Sequence, residues 1–162
     1  MNYIQDHNQD LYRRGMYVFI KRTVPPPTML IFDASNRDQC EVQRGRTNTP
    51  LQALVMMNDP HVLESSRVLA SQFSHEKGTL EEKLTKAFRR IICRAPKEKE
   101  LSLLKKYYEE EQASCMKNPK KVQKLMQIGE YKQDKAAVTG STAAMMLTIQ
   151  LIYNMEEAIM RV

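Results

Sequence analysis

The chain has 162 residues, 42% of them apolar, with 11 Met, no Trp and five Gly. That is enough chain to bury one core without disulfide or metal staples, and too little glycine for a sheet-and-turn protein. The net charge of +6 raises a nucleic-acid partner, but Lys117–Lys135 spreads six Lys against Glu130 and Asp134, as a solvated helix face does.

Asp10 can cap a first helix through about Arg22, with Tyr12, Met16 and Phe19 on one face. Val24-Pro-Pro-Pro27 stops it, since three consecutive prolines form a stiff extended connector. Residues 24–46 then read as one long structured loop. In it, Met29 to Phe32 is a short apolar run expected to dock on the core. After it come Asp33, Asn36, Arg37, Asp38, Glu41, Arg44 and Arg46, a dense mixture of both charge signs.

Thr49, Pro50 and Gln52 mark the next helix start. Thr49 is the N-cap, Pro50 fits the first turn, and Gln52 completes a capping box. Leu51, Ala53, Leu54 and Val55 are expected to begin a buried helix that ends near Met57. Asn58, Asp59 and Pro60 interrupt it, and Asp59 caps a second helix through about Ser74. That helix should turn Leu63, Ser66, Leu69, Ala70 and Phe73 inward.

Thr79 and Glu82 form another capping box. Leu80, Leu84, Ala87, Phe88, Ile91 and Ile92 follow at helical spacing. Pro96 opens the next helix, with Leu101, Leu104 and Tyr108 inward, and Asn118-Pro119 ends it. Residues 120–128 suggest a short basic helix, and residues 129–140 a polar loop. Ser141 then caps a final helix to the C-terminus, with Ala144, Leu147, Leu151, Met155, Ala158 and Val162 on its buried face. Glu157 and Arg161 are spaced as an i,i+4 ion pair.

Chemistry-bearing signals are sparse. Arg44, Arg46 and Asn48 lie at a helix start, where an anion would be favoured. With Asp33 and Arg37 they form the candidate anion or ligand site. The competing reading pairs the arginines with Asp33, Asp38 or Glu41 to pin the loop. Helix capping accounts for Asn58 and Asp59. Cys40, Cys93 and Cys115 are far apart, without zinc or haem-attachment spacing, and read as small buried thiols whose redox state the sequence leaves open. His7, His61 and His75 have no metal-spaced partner. A glycosidase would need two positioned carboxylates, and nothing in the sequence brings Asp33 to Glu64. The opening residues lack the order of a signal peptide. Thr148 and Gln150 break the longest apolar stretch, so no membrane span is expected.

Several runs together carry a family likeness. They are Arg13-Arg14 with Tyr17, Lys21-Arg-Thr-Val-Pro-Pro-Pro27, Met29-Leu30 and Phe32-Asp-Ala34. Asn36-Arg37, Arg46-Thr-Asn-Thr-Pro-Leu-Gln-Ala-Leu54, Asn58-Asp-Pro60 and Asn154-Met-Glu-Glu157 with Arg161 follow in order. From Tyr12 to Arg161 the chain resembles the C-terminal planctomycete surface domain, a domain of unknown function. It matches the C-terminal two-thirds of that domain. Lys97 departs from the resemblance, which carries a helix-capping Thr there. The resemblance implies an extracytoplasmic location, at the periplasm or cell surface, in large bacterial proteins that also carry cytochrome c modules. This chain lacks the haem ligation motif, and no cofactor or metal is carried over.

The fold expected is all-α, an irregular bundle of about six helices. Residues 1–162 read as a single domain, the C-terminal part of a larger one in a multidomain protein. The function expected is a non-catalytic interaction or scaffolding module whose partners are other domains of the parent protein. One alternative is part of a carbohydrate-acting enzyme completed by upstream residues, taking a saccharide or acidic ligand. The least favoured is a basic nucleic-acid-binding domain.

Overall fold

A computed structural model describes residues 4, 6–21, 23–35, 42, 43, 45 and 47–160. The protein is all-α; the described residues are 68% helical, with six helices of seven residues or more. Among the described residues there is no strand, only an isolated bridge between Lys21 and Val24. The α-helices are α1 (Pro27–Ile31), α2 (Pro50–Asn58), α3 (Pro60–His75), α4 (Leu80–Ile92), α5 (Glu98–Lys117), α6 (Pro119–Met126), α7 (Gly140–Tyr153) and α8 (Glu156–Ile159). They divide into two compact units, residues 1–54 and 55–162.

In the first unit the expected helix from Asp10 does not form. Two 3-10 turns, Asn8–Tyr12 and Gly15–Tyr17, stand in its place. No residue of either is buried. Without a packed face, so short a segment lacks the support that keeps a helix together. The Met29–Phe32 run forms most of α1, opened by Pro27 in the first turn, and α1 buries none of its residues. Leu51 and Leu54 of α2 are exposed rather than buried, and the buried side chain of α2 is polar Gln52.

The second unit holds the core. α7 is its centre, and α3 and α5 pack along it, with α4 and α6 beside them. Phe73, Leu84, Phe88, Leu104, Met126, Met146, Ile149 and Ile152 are buried together. Ala143 and Ala144 are fully enclosed, so neighbouring helices approach the α7 backbone closely.

Four expectations about this unit change. Thr139, not Ser141, caps α7, and its hydroxyl accepts from Thr142 N at 3.2 Å. The helix ends at Tyr153, and α8 follows after a break at Asn154 and Met155. The buried set is Thr142 to Met146, Thr148, Ile149 and Ile152, while Leu151 is exposed. A helix surrounded by others is apolar nearly all round, so its periodicity does not mark one face. At α5, Pro96 lies before the helix, and Lys97 holds the N-cap position with no side-chain cap. Lysine has no acceptor to offer. Half of a capping box remains, because Lys97 N donates to Glu100 Oε2 at 2.6 Å.

Candidate functional site

In the first unit the Thr-Asn-Thr-Pro-Leu-Gln run builds a polar knot. The Thr49 hydroxyl accepts from Gln52 N at 3.3 Å, and Gln52 Oε1 accepts from Thr49 N at 3.0 Å. The Gln52 amide also donates to Ile31 O at 2.7 Å and to Thr47 Oγ1 at 3.1 Å. Thr47 in turn donates to Asp33 from its amide at 2.8 Å and its hydroxyl at 2.7 Å. Asp33 takes a left-handed conformation, φ 54°, which Asp tolerates better than most residues. The Thr47 hydroxyl, then the Thr47 amide, hold the Asp33 carboxyl below its usual range. Asp33 is thus engaged by Thr47, and Asn48 is exposed. The proposed roles of Arg37, Arg44 and Arg46 lie outside the described residues, as does Cys40.

Asp59 accepts from His61 N at 2.7 Å and Val62 N at 3.4 Å, with Pro60 in the first turn of α3. Thr79 and Glu82 exchange the two bonds of a capping box at α4.

Two charged residues of α3 are buried, Glu64 and Arg67. Both close on the backbone that follows α6. Glu64 accepts from Tyr131 N at 2.6 Å and Glu130 N at 3.2 Å. Arg67 donates to Ile128 O at 3.0 Å and Tyr131 O at 2.8 Å. The pair is one turn apart on a single helix, 4.0 Å between charged atoms. Gly129 sits against it at φ 92°, and a Cβ there would come within 2.3 Å of Glu64 Oε2. The sequence did carry a signal. Glu64 and Arg67 precede buried Ala70 at three-residue steps, which puts two charges on the core-facing side of α3.

Arg94 is a second junction. It donates to both carboxylate oxygens of Glu100, at 2.7 and 2.8 Å, and to both of Glu157, at 2.7 and 2.8 Å. It also lies 5.0 Å over the Phe88 ring. The guanidinium pulls Glu100 down to about 2, helped by the Lys97 amide, and lowers Glu157 as well. Glu157 therefore pairs with Arg94, and the expected partner Arg161 lies outside the described residues.

A groove of about 510 Å³ opens between the end of α3, the start of α4, α5 and the start of α7. His75 at its edge bonds Asp134, which lowers the Asp134 carboxyl. Lys83, Tyr108, Thr139, Ser141 and Thr142 supply polar lining, and Phe73, Leu80 and Met145 the apolar part. His75 is thus not isolated, and neither it nor Lys83 was singled out by spacing. The cysteines also differ from one another. Cys115 is buried, with its thiol pushed up by burial, whereas Cys93 is exposed in a left-handed cap, φ 65°. Among the described residues no group of three His, Cys, Asp or Glu is placed to hold a metal ion. Nor is any described helix long and apolar enough to cross a membrane.

Comparison with curated proteins and with solved structures finds no match. One family model matches, over residues 1–108, and it is described as PSD1, protein of unknown function (DUF1553). The match takes in the connector, the polar knot, the two capping boxes and the Arg94–Glu100 pair, and ends within α5. By that match, which covers most of its length, the chain belongs to the family of proteins of unknown function DUF1553.

Proposed function

We propose that the chain is a non-catalytic interaction module that docks against another domain of its parent protein through residues 1–54. One observation carries this reading. Among the described residues of that unit no apolar side chain is buried, yet Tyr12, Met16, Tyr17, Phe19, Val24 and Leu30 are each about half exposed or more. An apolar hollow of about 630 Å³, lined in part by Met16, Val18, Met29 and Phe32, belongs to the same unit. Burying an exposed apolar side chain of this size contributes about 1.5–3 kcal/mol, so a partner that covered several would be held firmly. The carboxylates with shifted pKa support the same reading. Asp33, Glu81, Glu100, Asp134 and Glu157 all move down, each held by a hydrogen-bond donor. A general acid needs the opposite shift. The family resemblance adds the setting, a multidomain bacterial protein outside the cytoplasm that also carries cytochrome c modules.

A photoreactive amino acid at Phe19, in the full-length parent protein, tests the idea. Cross-links to another domain of the same polypeptide are expected from Phe19 and not from the exposed α5 residue Leu103. Equal labelling from both positions, or none from Phe19, would overturn it.

A further inference from the structure

We propose that the groove between α3, α4, α5 and α7 binds a small organic monocarboxylate, its acid group at Lys83, Tyr108 and the first amides of α7, its apolar body on Phe73, Leu80 and Met145. This site lies wholly within residues 55–162 and is independent of the docking role given to residues 1–54.

Tyr108 is the leading observation. It is 8% exposed, it lines the groove, and its hydroxyl has no hydrogen-bond partner among the described residues. Buried tyrosine hydroxyls usually find one. The sealed polar atoms without a partner are Ser71 Oγ and Asn154 Oδ1 among the described residues. The Tyr108 hydroxyl is not one of them, so it retains access to solvent, on a residue that lines the groove. A donor in the lining of an open groove with apolar neighbours is the arrangement by which binding sites orient a ligand.

Lys83 is the second observation. Lys86, Lys105 and Lys121 each pair with a carboxylate, at 2.7, 2.8 and 3.0 Å. Lys83 is half-buried on the groove wall and has no such partner among the described residues. The third is the start of α7. Thr139 satisfies Thr142 N with its hydroxyl and Ala143 N with its carbonyl. The amides of Gly140 and Ser141 have no hydrogen-bond partner among the described residues; they stand at the positive end of a 14-residue helix, and Ser141 lines the groove.

The charge of the ligand follows from its neighbours. Lys83 is one uncompensated cation, and Asp134 stands near the rim, bonded to His75. A dianion would meet that carboxylate, whereas a monoanion matches Lys83. Phe73, Leu80 and Met145 favour an apolar body over a bare ion.

The test is a titration of the whole 162-residue chain with phenylacetate, hexanoate, phenylacetamide and inorganic phosphate, followed in two-dimensional amide NMR spectra. Saturable shifts with phenylacetate or hexanoate are expected, at the amides of Gly140, Ser141 and Thr142. Phenylacetamide should leave them unmoved. Tyr108→Phe and Lys83→Met keep the ring and the aliphatic stem, so their melting temperatures should match the parent. Each should weaken binding about tenfold, the loss of one hydrogen bond to a charged group. No saturable shift with either carboxylate, a preference for phosphate, equal response to the amide, or variants that bind as the parent does would each overturn the assignment.

Discussion

Gly129 shows how narrowly one position can be specified. At φ 92° an L side chain is strained, and its Cβ would also strike the Glu64 carboxylate. Gly129→Ala should therefore destabilise the protein by about 2 kcal/mol or more. Thermal unfolding followed by circular dichroism should fall by several degrees. Glu64→Gln removes the charged acceptor beside buried Arg67, and a loss of about 3 kcal/mol is expected from denaturant unfolding. Arg94 gives a pH signature. The Arg94 guanidinium, with the Lys97 amide, holds the Glu100 carboxyl down to about 2, well below its ordinary value of 4.5, and Glu157 is also lowered. Depressed carboxylates stabilise fully above the unfolded value, and the contribution fades as pH falls from about 4.5 towards 2. In Arg94→Lys, which cannot fork to two carboxylates, the acid limb of the stability curve should flatten over that window. Equal acid limbs in parent and variant would sink this account. The residues in these two clusters were only partly legible. Their partners lie far away in sequence, and a Glu or Arg on a helix reads as solvated until its neighbour is known.

Helix starts were the most legible elements, because a cap is decided within four residues. Thr49 with Gln52, Asp59 before Pro60, and Thr79 with Glu82 make the bonds their spacing implies. α5 starts without one, since Lys97 has no acceptor. Lys97→Thr should complete the box with Glu100 and add about 0.5–1 kcal/mol, measurable as a raised denaturation midpoint. An unchanged midpoint would mean that the Glu100 half of the box already suffices. Two elements were misread for opposite reasons. α7 is enclosed by its neighbours, so the spacing of its apolar residues carries no direction. The segment 10–22 has apolar residues at helical spacing but no packed face, and period alone did not make it helical.

The two units of the molecule differ in kind. Among the described residues, all the buried apolar ones belong to the second, and the first contributes buried Gln52. Residues 55–162 cut from the rest should keep a cooperative melting transition within a few degrees of the whole chain. Residues 1–54 alone should show none. Amide exchange in the whole chain should follow the same division, with slow protons on α3, α5 and α7 and fast ones before residue 36. Slow exchange throughout residues 8–21 would contradict it. That the chain is helical was plain from its patterns and few glycines. That its core excludes the first third was not, because Met16, Phe19 and Leu30 are as apolar as the residues that are buried.

The clamp between α3 and the backbone after α6 also bears on time. Its hydrogen bonds span 61 to 67 residues of chain. A loop of that length closes late, because its entropy is spent before the contact returns anything. Without those bonds Glu64 and Arg67 are charges that favour water, which opposes their burial. The arrival of the 128–131 backbone, which dries the pair, is then expected to follow the transition state. Contacts made after the transition state govern how fast the native chain opens. Glu64→Gln should accordingly accelerate unfolding while leaving the folding rate nearly as it was, which makes this clamp a latch on the lifetime of the fold.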